Sequence, residues 1–275
     1  MNPRTQKQLI IGLIFIVFIG GISYGFVDHF LITETTCFDK IRNGQEEGVD
    51  CGLLACGISC EPAIMPLDVL FQKLIEVKPG DYDFVAQINN PNSLFGASLV
   101  RYDLNLVGSK GGGTLLDKSG TFYVLPGQTR FVIVPGIRIA DGAVDISIDI
   151  TQVAWEKVES FENISFPVQR KNYTVIARNG VFSELEAVVL NNSDFDFDKI
   201  DIGVVLFDEN NEIIAVNQTD IRTFISRTER YFKVNWPSEL PTAVARWNIE
   251  VLTNVLENSN FIKRYGTQER FQKYY

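Results

Sequence analysis

The chain has 275 residues, 45% of them hydrophobic, and a formal net charge of −9 from 34 acidic and 25 basic side chains. An acidic balance argues against a nucleic-acid partner and against attachment to an anionic membrane face by charge. The single histidine, His29, confines any Ser-His-Asp, Cys-His or histidine–metal chemistry to its own neighbourhood.

Residues 9–27, LIIGLIFIVFIGGISYGFV, contain no charge, and Arg4 and Lys7 stand just before them. A run of about twenty apolar residues matches the hydrocarbon thickness of a bilayer, where only a helix satisfies its own backbone. The run therefore predicts a transmembrane helix in contact with lipid. The cationic residues on its N-terminal side put residues 1–8 in the cytoplasm and the rest of the chain outside. A cleaved secretory signal is the rival reading. It calls for a shorter apolar core ending in a small-x-small site, whereas Gly20, Gly21, Ser23 and Gly25 are embedded among Ile22, Tyr24 and Phe26. Both readings export the chain. All 34 acids and 23 of the 25 basic residues lie beyond residue 27, leaving that part at −11.

Residues 28–66 form a predicted cysteine-rich stalk holding all four cysteines, Cys37, Cys51, Cys56 and Cys60. Outside the cytoplasm such clustering points to disulfides, with three pairings open. A four-thiolate zinc site is the rival, but its paired C-x2-4-C knuckles are missing. Within the stalk, Asp39 to Asp50 spans twelve residues, with Asp, Asn, Gly and a final acid at positions 1, 5, 6 and 12. Ile41 at position 3 excludes an EF-hand, which also needs flanking helices. A calcium loop of another kind, using Asp39, Asn43, Glu47 and Asp50, competes with a solvated acidic turn. The run Cys37-x-Asp39-x3-Asn43-Gly44-x-Glu46-x-Gly48-x-Asp50-Cys51-Gly52 resembles a short cysteine motif of exported bacterial surface proteins. Its usual glycines are replaced here by Lys40 and Leu53. The resemblance implies export and says nothing of activity.

From residue 67 onward the pattern is that of strands. Residues 84–89, 99–107, 122–125, 131–134 and 144–151 alternate or run apolar between loops rich in Gly, Asn and Pro. Val100, Tyr102, Leu104 and Leu106 share a face opposite Arg101, Asp103 and Asn105, the mark of a sheet packed on one side. The second half aligns with the first about 101–102 residues on. Asn89-Asn90-Pro91 meets Asn191-Asn192-Ser193, and Val132 and Val134 meet Val234 and Trp236. Ile146, Ile148 and Ile150 meet Trp247, Ile249 and Val251. A duplicated unit of this size with short strands predicts an all-β fold of two tandem immunoglobulin-like sandwiches, residues 67–158 and 159–256, followed by a C-terminal tail, 257–275. The short polar join near residues 158–169 predicts a semi-rigid rod. Residues 108–114, GSKGGGT, lack the phosphate-binding order and read as a hairpin loop. Phe195 and Phe197 read as anchors of a loop to the core, with a contact tip as the alternative. The tail reads equally as a short docking helix or a frayed end.

These halves resemble FxLYD and LEA14-type domains, which are fibronectin-III-like. The stretches that carry the resemblance are Asp83-Phe-Val-Ala-Gln-Ile-Asn-Asn-Pro91, Val100-Arg-Tyr-Asp-Leu-Asn-Leu106 and Leu125-Pro-Gly-Gln-Thr129, with Val188-Val-Leu-Asn-Asn-Ser193 and Ile225-Ser-Arg-Thr228 in the second half. The resemblance implies a binding or spacer module at the cell surface and brings no catalytic residues.

HExxH and GxGxxG motifs are absent from the sequence, and its one GxSxG match, Gly21-Ile22-Ser23-Tyr24-Gly25, lies inside the apolar run of residues 9–27. The expectation is a single-pass, membrane-anchored, extracytoplasmic protein without enzymatic activity, needing no cofactor. Its role is structural, adhesive or protein-binding, its partners are other envelope or surface proteins, and it takes no nucleic acid. The alternatives are an anchored hydrolase working through paired carboxylates, which leave no spacing signature, and a calcium-dependent binding module.

Overall fold

The computed structural model describes residues 3–31, 36–60, 63–108, 114–139, 143–158 and 164–265. The chain forms two compact units, Met1–Ala63 and Ile64–Tyr275.

The first unit begins with helix α1 (Pro3–Leu31). Its Gln6–Phe26 stretch, 21 residues, is long and apolar enough to cross a membrane, and none of it is buried among the described residues. A helix apolar on every side finds its solvent in lipid or in a protein core. A small module follows, containing the one-turn helix α2 (Leu53–Cys56) and isolated bridges between Gly48 and Cys51 and between Gly52 and Ile58. Two disulfides close it, Cys37–Cys56 and Cys51–Cys60, which reduces the three open pairings to one.

The second unit is all β. In chain order its strands are β1 (Asp68–Lys78), β2 (Asp81–Asn89), β3 (Phe95–Gly108), β4 (Thr114–Val124), β5 (Thr129–Arg138) and β6 (Ala143–Lys157), then β7 (Val168–Arg178), β8 (Val181–Leu190), β9 (Phe197–Phe207), β10 (Ile213–Phe224), β11 (Glu229–Trp236) and β12 (Arg246–Leu252). They form four antiparallel three-stranded sheets, β1-β2-β5, β4-β3-β6, β11-β8-β7 and β10-β9-β12. Each half thus has the same strand order, that of a six-stranded immunoglobulin-like sandwich. Strand β1 carries no clean alternation because its pairing with β2 slips between Val69 and Phe71 and again between Glu76 and Lys78.

In the first sandwich Phe84, Ala86 and Ile88 pack against Val100, Leu104 and Phe122. In the second, Leu185, Ala187 and Val189 pack against Ile200, Ile202, Val204 and Leu206. The halves also share an equivalent buried asparagine. Asn90 Nδ2 donates to the carbonyls of Phe95 (2.7 Å) and Leu125 (2.9 Å), and Asn191 Nδ2 donates to those of Phe195 (2.8 Å) and Phe224 (3.2 Å). Its oxygen in turn accepts from the backbone two residues on, Asn92 or Ser193. Asn90 therefore corresponds to Asn191, one residue earlier than the sequence alignment places it. Likewise Ala86 opposite Val132 corresponds to Ala187 opposite Phe232, two residues before Val234. The differing slips come from unequal turns between strands, which a single offset cannot represent.

The rod is corrected. Sheets β1-β2-β5 and β10-β9-β12 bury a shared cluster, Ile75, Val85, Phe131, Ile133, Val205, Phe207, Ile213 and Val216. The two sandwiches are joined by packing as well as by chain. The cause is in β2, β5 and β9, which are apolar on both faces: Phe84 and Val85, or Val132 and Ile133, point to opposite sides and both are buried. Gly203 on β9 lets the sheets approach, since a Cβ there would meet Ile133 Cδ1 at 3.2 Å.

Phe195 and Phe197 are buried in the second core, and Phe166 packs edge-on to Phe197. Helix α3 (Ser259–Tyr265) seats Phe261 on Phe195, with ring centroids 5.4 Å apart. The tip of the residue 108–114 loop, residues 159–163 of the join and the last ten residues of the tail lie outside the described residues.

Candidate functional site

The acidic loop of the disulfide module brings together three of the four calcium candidates, Asp39, Asn43 and Asp50. Asp39 Oδ1 accepts from Ile41 N (2.8 Å) and Oδ2 from Asn43 Nδ2 (2.7 Å). Asp50 accepts from the N–H of Asp39 (3.1 Å) and of Lys40 (2.9 Å). Asn43 Oδ1 accepts from Thr36 N (3.1 Å). The Thr36 hydroxyl, together with the Ile41 N–H, holds Asp39 below the usual carboxylate range. These oxygens therefore accept from N–H and O–H donors within the loop. Glu47 stands apart. Its side chain is exposed, and its N–H donates to Cys51 O at 3.0 Å.

Sequence reasoning missed Glu46. It is 5% exposed, and its Oε2 accepts from the N–H of Asn43 and of Asp50, each at 3.2 Å. A carboxylate satisfying two backbone donors replaces the core that so short a module lacks. The Glu46-Glu47 doublet carries no pattern that separates the buried member from the exposed one. The ligand atoms of Cys37, Glu46 and Cys56 lie within 4.8 Å of one another, but both sulfurs are spent in a disulfide and offer no thiolate.

A second locus lies between the sandwiches. A cavity of about 570 Å³ is lined from the first half by Ser98, Tyr102, Tyr123 and Arg130, and from the second by Asp201, Glu250 and Asn254. Arg130 is 8% exposed. Its Nη1 donates to Tyr123 O (2.6 Å), and its guanidinium lies 4.5 Å from the Tyr123 ring centroid. Burial raises the Tyr123 hydroxyl, which stays protonated and donates to Asp201 Oδ2 at 3.3 Å. Glu250, on β12, accepts the N–H of Phe131, on β5, at 3.0 Å. Burial pushes its carboxyl up to about 7, against the pull of Arg130 and of that N–H. Asn254 Nδ2 donates to Ser98 O (3.0 Å), while its buried Oδ1 has no hydrogen-bond partner among the described residues. The arrangement ties one sandwich to the other through polar groups around a polar hollow. None of these residues is marked in the sequence. Glu250 alternates with the core residues Ile249 and Val251 and so reads as a solvent-facing position.

No family model matches the chain, and no curated protein matches it. Among solved structures it aligns with red sea bream transglutaminase at 10% identity and a TM-score of 0.23, covering 74% of this chain and 31% of that one. It also aligns with the calcium-binding domain CBD12 of CALX1.1 at 9% identity and a TM-score of 0.20, covering 71% of this chain and 87% of that one. The chain spans less than a third of the transglutaminase, and at these TM-scores neither alignment bears on function.

Proposed function

We propose that this protein is a single-pass, membrane-anchored, extracytoplasmic protein with a non-enzymatic structural, adhesive or protein-binding role among other surface or envelope proteins. The observation that carries the reading is the order of parts: an unburied helix long enough to cross a bilayer, followed at once by a module closed by two disulfides. Disulfides persist in oxidising compartments, and the basic residues before the helix orient the remainder outward. The duplicated sandwiches, each with its own buried asparagine, are a rigid display element; the resemblance to FxLYD-type surface modules supports the same role. A lone histidine, and a sole GxSxG match that lies within the apolar run, favour binding over catalysis.

Protease treatment of intact cells expressing the chain tests this. The expected result is loss of the sandwiches from the outside, with four cysteines that alkylate only after reduction. Full-length protein in the soluble cytosolic fraction with reactive thiols overturns it.

One observation favours a second reading, an anchored hydrolase: the raised carboxyl of Glu250 shares a cavity with the Asp201 carboxylate. Screening chromogenic glycosides with the protein and with Glu250→Gln decides it, since turnover abolished by that change is the result this reading requires.

A further inference from the structure

The disulfide module carries apolar surface that the protein does not cover. Phe38 is 91% exposed and Leu54 94%, with Leu53 at 65% and Ile58 at 53%. Monomeric soluble domains scatter such residues singly; gathered together they mark a contact surface. Here four of them lie close together in the fold, while Ile41 and Val49 are exposed on the acidic loop. The Cys37–Cys56 disulfide, with Cα atoms 5.7 Å apart, sets Phe38 beside the α2 turn that carries Leu53 and Leu54. Gly52 N donates to Ile58 O at 2.7 Å, which brings Ile58 to the same turn. Asp39, Asn43, Glu46 and Asp50 are bonded to one another and to backbone donors.

We infer that this Phe38–Leu53–Leu54–Ile58 face docks into the outer interface of the membrane that α1 crosses, so that the module lies on the bilayer as a second point of attachment. The inference rests on the reading of α1 as an anchor. The occupant follows from chain continuity. Phe38 is next to Cys37, where the chain enters the module from the helix, so the apolar end is also the end nearest the anchor in sequence. Only four residues separate Leu31 from Thr36, and an extended chain of that length spans at most about 18 Å. A face so tethered meets the interface at high effective concentration. Insertion of aromatic and aliphatic side chains about 5–10 Å into the headgroup–acyl boundary needs neither a net positive charge nor a long helix.

The experiment uses the full chain reconstituted into phosphatidylcholine vesicles and a hydrocarbon-soluble aryl diazirine, photolysed and mapped by peptide mass spectrometry. The expected result is carbene insertion both in α1 and in residues 38–58. With Phe38→Asp and Leu54→Asp together, the label in residues 38–58 falls roughly tenfold while that in α1 is unchanged. Both side chains are almost fully exposed, so the fold has no need of them, and intact mass confirms both disulfides in the variant. Label in α1 alone overturns the docking and leaves the anchor standing, the result expected if a partner protein covers this face instead. Label in neither overturns both.

Discussion

The disulfide module and the sandwich pair hold their shapes by opposite means. Among the described residues 36–60, Glu46 is the one buried side chain, so two disulfides and a carboxylate on backbone donors do the work of a core. The second unit has no cysteine at all and three buried clusters, one inside each sandwich and one between them. The difference follows from size. About twenty-five residues cannot remove enough apolar surface from water to offset their chain entropy, whereas about two hundred can. It also explains where apolar surface remains: the large unit has used most of its own, and the small one has no interior in which to place it.

The largest break in this comparison is a core truncation. Phe197 is 1% exposed, and Phe197→Ala is expected to cost about 3–5 kcal/mol in chemical denaturation followed by tryptophan fluorescence, with the disulfide module unaffected. A loss below about 1 kcal/mol contradicts the packing described. Next is pH. Glu250 rises from 4.5 to about 7 on folding, so the folded state binds its proton more tightly than the unfolded chain. Its contribution is fully present below pH 4.5 and is lost as pH rises towards 7, by about 3 kcal/mol in all. Asp83, raised by its own burial, adds a loss of the same sign, so the readout is the difference between the parent and Glu250→Gln. A shallower decline in the variant is expected, and identical slopes refute the assignment.

The disulfide module is tested from the other side. Removing the Cys51–Cys60 bridge with Cys51→Ser and Cys60→Ser is expected to cost the module about 2–3 kcal/mol. Hydrogen exchange should show protection lost across residues 36–60, with the thermal midpoint of the β unit unchanged. A smaller effect comes from Lys40, a non-glycine residue at φ 61, where the cysteine motif it resembles has glycine. Lys40→Gly is expected to slow exchange in that loop by about 1 kcal/mol or less, since glycine adopts the left-handed conformation without a Cβ penalty. Smallest is calcium: with the oxygens of Asp39 and Asp50 already on internal donors, millimolar Ca²⁺ is expected to move either unit's midpoint by less than about 1 °C. A rise of several degrees in the module would support the calcium loop.

Several parts of the fold are legible in the order of residues alone. Strands β3 and β6 alternate because one face meets the core and the other meets solvent. The cysteines announce disulfides because four lie within 24 residues of one another. The continuous runs Phe84-Val85-Ala86 and Phe131-Val-Ile-Val134 signal burial on both faces, but a run of this kind does not name what lies on the far side. Strand β1 is hidden by two register slips. Arg130 and Glu250 are hidden because a polar residue in a strand reads as a solvent position until another sheet arrives opposite it.

What the sequence determined by itself is local: a helix with no polar side, a cluster of thiols and the period-two pattern of the strands, each written within a window of ten or twenty residues. What only the tertiary structure decided is which faces meet. The pairing of Cys37 with Cys56, the burial of Glu46, the packing of sheet β1-β2-β5 on β10-β9-β12 and the hollow holding Glu250 all join residues distant in the chain. Such contacts depend on shape and complementarity between surfaces, and those exist only once the chain has folded.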